Sequence, residues 1–341
     1  MRKTTRRMKD ETSGSIPRSL GRAVGRIQHR LRSSVVPACL LLGALGFVFS
    51  VPGSSGQALQ GPYLGQEPPG TTPQVFAPGI VSTDAHEFSS SFTPDGQEFY
   101  FTRSESMQSP TLIMVSRCVG GTWTPPAPAP FNEKTGAGPG GGMSFEAMAT
   151  PDGRRIYFSS DRPGPDKPAA GGMPMLNIWY VEREGDRWSE PKFPGAPFNP
   201  MKTMFISMTK TGTVYTADIS KGMANNRIAV ARLKDGAYQP LEDLGASINA
   251  APINNYPYVS PDESLLLFNR RQAPGGAGGL FVSFRGSDGT WGEPRQVDLG
   301  PLSAGQGVIS PDGKFLFFTA GERRKGDIYW VDASILKKEP R

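Results

Sequence analysis

Histidine is almost missing from this chain: 341 residues contain two, His29 and His86. A multi-histidine metal centre is therefore excluded, and no metal or cofactor site is expected. A Ser-His-Asp triad would have to recruit His86, and no G-x-S-x-G elbow accompanies it. Cysteine is as scarce, with Cys39 and Cys118 alone. Apolar runs are short, the longest being the 17 residues Val35 to Val51, interrupted by Pro37. The Gly-rich stretch GAGPGGG lacks the Lys-Ser/Thr of a phosphate-binding loop and does not open a helix. GSDGTW sets Asp288 and Gly289 side by side, which departs from the spacing of a sialidase Asp box.

Charge is absent from residues 35–58 and concentrated just before them. Residues 1–34 carry ten Lys/Arg against Asp10 and Glu11, a net of +8. Taking +8 from the overall +6 leaves −2 on everything that follows. The basic balance thus belongs to the N-terminus and gives no support for a nucleic-acid partner. A basic stretch, an apolar run and the small-residue segment GSSGQA read as a signal peptide over residues 1–58, cleaved after Ala58. The mature protein, residues 59–341, is then periplasmic or secreted. The alternative is an inner-membrane anchor formed by residues 35–51, which would be the chain's one membrane contact. Arg6-Arg7 lies too far from the apolar run for twin-arginine export, and Cys39 precedes that run where a lipoprotein Cys follows it. Cleavage removes Cys39 and leaves Cys118 without a disulfide partner, as a small residue at a strand end.

What the chain has in abundance is turns. Gly (42) and Pro (33) punctuate a sequence rich in aromatics, the composition of an all-β protein. SFTPDGQEFYFTR, MATPDGRRIYFSS, YVSPDESLLLFNR and VISPDGKFLFFTA align on Pro94, Pro151, Pro261 and Pro311. A degenerate copy, SMTKTGTVYTAD, places Lys210 where proline would stand. Proline presets the first turn position and glycine takes the left-handed one, so each copy joins two antiparallel strands. The second strand is apolar on successive residues, which requires burial of both faces. A third strand and a hairpin bearing Trp123, Trp188, Tyr238 or Trp291 follow, and then a fourth strand.

Four antiparallel strands recurring about every 50 residues, with both faces buried, describe the blade of a β-propeller. Five blades are expected, or six if residues 59–84 hold more than one strand. The last copy stops short of its fourth strand, and TPQVFAPGIVS (Thr72 to Ser82) offers an N-terminal strand to close the ring. The repeats resemble the WD40-like propeller units of the Tol translocation protein B and of many exported bacterial proteins. The resemblance covers roughly residues 72–336 and implies a fold, not a function. Nothing in it requires membership of the Tol complex, whose protein carries a further N-terminal domain.

Strand direction sorts the loops onto two faces. The Pro-Asp-Gly turns share one face. The crossovers and the long loops Asn132 to Met143, Asp161 to Pro174 and Arg271 to Gly279 share the other. Long loops on a rigid scaffold are where binding concentrates. Inner-strand ends bring His86, Glu87, Glu146, Asn254, Asn255, Tyr256 and Gln306 to that mouth. Second-strand ends bring Arg103, Asp161, Arg162, Asp218, Arg270, Arg271, Glu322 and Arg323. Such a set suits hydroxyl-rich or carboxylate ligands; equally, its acids and arginines can pair with one another to fix neighbouring blades. The sequence favours a non-catalytic binding protein, with a protein partner or an envelope glycan as ligand. The alternative is a carbohydrate-active hydrolase or lyase using Glu87, Glu146 and His86.

Overall fold

Consecutive apolar residues in each second strand find neighbours on both sides. Phe99, Tyr100 and Phe101 are fully buried, as are Leu266, Leu267 and Phe268. The computed structural model describes residues 59–106, 109–132, 142–165, 176–199, 202–276, 278–322 and 325–337. The signal-peptide or anchor segment lies outside them. Among the described residues no helix is long and apolar enough to cross a membrane.

Five antiparallel blades follow one another along the chain. Their inner strands are His86–Phe92, Ser144–Ala149, Thr203–Met208, Ile253–Val259 and Ala304–Ile309. The second strands are Glu98–Ser104, Arg155–Ser160, Val214–Asp218, Leu265–Arg271 and Phe315–Glu322. The third strands are Thr111–Val119, Asn177–Glu184, Arg227–Ala231, Gly278–Phe284 and Lys325–Asp332. Short outer segments complete the blades, among them Ala127–Pro128, Glu242–Asp243 and Arg295–Gln296.

Each blade interface holds its own apolar cluster. Tyr100, Ile113, Phe158 and Trp179 join the first blade to the second, and Tyr157, Phe198 and Val214 join the second to the third. Tyr215, Val259 and Phe268 link the third to the fourth, and Leu267, Leu280 and Leu316 link the fourth to the fifth. Phe76, Phe99, Phe317 and Trp330 fill the seam between the fifth and the first. Full burial of one such side chain contributes about 1.5–3 kcal/mol, so the interfaces account for the ring without any disulfide.

The seam is closed from the N-terminus. Gln74 and Val75 pair with Trp330 and Tyr329 as the fourth strand of the last blade, and Phe76 N–H donates to Ile328 O at 2.8 Å. Residues 59–84 do hold a second strand, Leu59–Gln60. It pairs with Thr122–Trp123 and extends the first blade's hairpin instead of founding a sixth blade. The ring has five blades.

The aspartates of the turns are spent locally. Asp95 accepts hydrogen bonds from Thr93 Oγ1 (2.6 Å) and Gln97 N (3.0 Å), with Gly96 at φ +68°. Asp152, Asp262 and Asp312 repeat the pattern with Thr150, Ser260 and Ser310. The degenerate third hairpin is one residue tighter, since Thr209 pairs with Thr213 where Thr93 pairs with Glu98. Tyr215 is buried there against Trp291, as Tyr100 is against Trp188.

Candidate functional site

Every inner strand carries an irregularity at the same place. Pairing with the second strand slips between Phe88 and Ser91, Phe145 and Met148, Met204 and Ser207, Asn255 and Tyr258, and Ala304 and Gly307. The residues five positions before the turn anchors are Ser89, Glu146, Phe205, Tyr256 and Gln306. The first four adopt left-handed backbone, with φ of +56°, +63°, +63° and +53°. None is glycine, so each costs on the order of 1 kcal/mol. A bulge re-aims a side chain and interrupts pairing. Neighbouring blades support the arrangement: Ser89 N–H donates to Thr319 Oγ1 at 3.1 Å, and Glu146 N–H to Thr102 Oγ1 at 3.0 Å.

Above this tier, on the long-loop side, opens a cavity of about 430 Å³. His86, Phe88, Ser89, Tyr256, Arg271 and Gln306 line it, together with glycines of the 275–276 loop and of the fifth blade. His86 Nδ1 accepts from Gly326 N at 2.9 Å, and its ring stacks on Phe88 at 4.9 Å. Tyr256 packs on Phe205 at 4.0 Å between ring centres. Arg271 Nε donates to Asn269 Oδ1 at 3.0 Å. Ser89 Oγ and Gln306 Oε1 are buried without a hydrogen-bond partner among the described residues. Of the expected residues, His86, Tyr256, Arg271 and Gln306 therefore converge.

Glu146 stands in the same tier. It is buried, its carboxylate accepts from Ser159 Oγ at 3.4 Å, and desolvation holds its carboxyl well above the usual carboxylate range. The Tyr256 phenol is pushed up as well, first by burial and then by the proximity of Glu146.

The other expected residues hold the scaffold. Glu87 is fully buried and accepts from Thr83 Oγ1 (2.6 Å), Thr83 N (3.2 Å) and Arg103 Nε (2.8 Å). Arg103 also donates to the carbonyls of Ile80 and Val81, and Arg270 does the same to Ser247 and Ile248. Arg162 reaches Phe131 O at 2.7 Å while lying over Phe158 and Trp179. All three guanidiniums fasten the crossover that enters their own blade. Asp161 Oδ1 accepts from Met143 N, Asn254 Nδ2 donates to Ala251 O, and Asn255 meets the Asn226 carboxamide. Asp218 accepts from Ser220 N. Arg323 and the Glu322 side chain lie outside the described residues, as do most of the 132–143 and 161–174 loops. Among the described residues no three potential metal ligands gather.

Two features escaped the sequence. Ser89 and Phe88 line the cavity although neither carries a charge, and the repeat position shared by Ser89, Glu146 and Gln306 is the signal that would have found Ser89. The face that carries the Pro-Asp-Gly turns also has a cavity. Its volume is about 500 Å³, it is lined by Phe92, Met148, Met208, Tyr258 and Ile309, and it shares no lining residue with the upper one.

No family model matches the chain, and no curated protein does. Among solved structures it is similar to TolB from Acinetobacter baumannii, at 15% identity over 74% of this chain and 53% of that one, with a TM-score of 0.45. It thus spans about half the length of that protein. A gluconolactonase from Xanthomonas campestris aligns at 12% identity over 81% and 97% of the two chains, also with a TM-score of 0.45. Trypanosoma rangeli sialidase aligns at 12% over 73% and 55%, with a TM-score of 0.41.

Proposed function

We propose that this chain is an exported, non-catalytic recognition propeller whose long-loop face binds a glycan of the cell envelope. The observation that carries this reading is the upper cavity. Flat rings, backbone-exposing glycines and unpartnered amide and hydroxyl atoms share one chamber of about 430 Å³. That size falls within the ~300–1,000 Å³ range of small-molecule sites. A protein partner on the same face is the competing outcome. Export rests on the N-terminal sequence pattern.

Catalysis has one observation in its favour, the buried Glu146 carboxyl, which desolvation raises in the direction that a general acid requires. Two-carboxylate hydrolysis also needs a base or nucleophile. Glu87, the other candidate, has its oxygens taken up by Thr83 and Arg103. The test is binding of residues 59–341 to an array of glycans, peptidoglycan fragments and envelope proteins, with turnover followed in parallel for wild type and Glu146→Gln. Glycan binding without turnover by both forms is the expected result. Turnover lost in the variant would make the protein an enzyme, and binding to proteins alone would name the other ligand class.

A further inference from the structure

Two of the chain's unpartnered side-chain atoms meet in one place. Ser89 and Gln306 retain 1% and 8% of their accessible surface, line the upper cavity, and occupy the same repeat position in adjacent blades. A buried hydroxyl and a buried amide oxygen left without partners are costly unless something bonds to them. The backbone at Ser89 is already committed. Ser89 N–H is used by Thr319, and the bulge holds the residue in a left-handed conformation that turns its side chain out of the sheet pairing.

We infer that this tier is the binding site for a single neutral, hydroxyl-rich ring, the terminal sugar unit of the glycan, with Ser89 and Gln306 as its hydrogen-bonding contacts. The inference rests on the reading of the long-loop face given above and adds the place, the contacts and the charge.

The chemistry of the lining selects the ligand. Gln306 Oε1 only accepts, so the guest must donate, and Ser89 Oγ both donates and accepts. Hydroxyl groups satisfy both. The Tyr256 and Phe88 rings offer apolar faces to the C–H face of a sugar ring. Charge is poorly served at the tier. Arg103 is committed to Glu87 and to two carbonyls, and Arg270 is committed to two carbonyls and lies over Phe281 at 4.5 Å. Arg271 remains at the cavity wall with its Nε bonded to Asn269. Burial raises the Glu146 carboxyl well above the usual carboxylate range, which disfavours a charged carboxylate there as the partner of a cation. The upper chamber shares no lining with the lower cavity, so a compact end group suits it better than a threaded chain.

Calorimetric titration of the full-length protein with glucose, N-acetylglucosamine and glucuronate, at pH 7, tests this. The comparison set is wild type, Ser89→Ala and Gln306→Leu. We expect at least one neutral sugar to bind, and glucuronate to bind at least tenfold more weakly. Each substitution should weaken the neutral sugar about tenfold, the equivalent of about 1.4 kcal/mol. Thermal unfolding should not be lowered in either variant, because the deleted oxygens have no partner among the described residues. Neutral-sugar affinity unchanged in both variants, or glucuronate binding as well as glucose, overturns the inference. Array binding that survives both substitutions overturns the tier and leaves the long-loop-face reading standing. No glycan binding on the array overturns that reading and the inference with it.

Discussion

Single residues in this propeller divide by whether their polar atoms are used. Glu87 and Arg103 are used by each other: the carboxylate sits at 0% exposure and the guanidinium at 16%, 2.8 Å apart. Replacing one partner strands the other, and a stranded buried charge costs about 3–5 kcal/mol. Arg103→Leu should therefore lower the urea midpoint sharply. The double variant Glu87→Gln/Arg103→Leu should recover part of the loss, and a double loss equal to the sum of the singles would refute the pairing. Glu146 is the opposite case. Its folded-state carboxyl is raised by burial, while in the unfolded chain it titrates at an ordinary value near ~4.3. The folded state then holds the proton that the unfolded state gives up. The stability it contributes is complete below the unfolded value and is lost as pH rises through the folded one. Among the described residues the Ser159 hydroxyl bonds it and the Tyr256 phenol lies near it, and neither is a cation that would reverse the sign. Glu146→Gln should flatten the decline, so urea unfolding of both proteins between pH 4.5 and 8 should give converging midpoints at the acid end. Parallel curves would show that Glu146 ionises in the folded protein as it does in the unfolded chain.

At the scale of elements, the blade was legible and the bulge was not. Pro-Asp-Gly followed by successive apolar residues fixes a hairpin and demands two buried faces, and Phe99, Tyr100 and Phe101 are indeed buried on both. The closing strand was legible for the same reason: a blade lacking its fourth strand leaves an open edge, and Thr72 to Ser82 was the one segment with the right pattern. The inner strands read only as short polar and apolar runs. A left-handed residue is announced by glycine, yet Ser89, Glu146, Phe205 and Tyr256 adopt that backbone without it. Pairing among charged groups was equally hidden, because an arginine reaches the preceding crossover across sequence gaps such as the 22 and 23 residues from Arg103 to Val81 and Ile80. The closing element gives its own prediction. Phe76 is fully buried among Phe99, Phe317 and Trp330. Phe76→Ala should cost about 3–5 kcal/mol in denaturant unfolding. A loss under about 1 kcal/mol would mean that the N-terminal strand does not hold the ring shut.

The described residues form a ring of five similar interfaces, of which one differs in kind. Four join blades that are neighbours in sequence, so the unfolded chain already holds their halves near each other. The fifth joins residues 315–332 to residues 86–119 through the strand Gln74–Val75, and its pairs lie more than 200 residues apart, as in Ser82 with Ile328 and His86 with Gly326. Closing so long a loop costs more entropy than closing a short one, though the cost grows only logarithmically with length. The interface itself is the richest in aromatics, with Phe76, Phe92, Phe99, Phe317 and Trp330 in mutual contact. In the intact protein that packing offsets the closure entropy, and the second strands of all five blades should show similar amide-exchange protection. Weakening the seam removes the offset at one place only. In Phe76→Ala, protection should therefore fall first in Glu98–Ser104 and Phe315–Glu322, while Val214–Asp218, on the far side of the ring, exchanges last. Uniform loss across the five blades would instead show that the ring unfolds as one unit from any breach, and early exchange in the third blade would place the weak point at its degenerate turn.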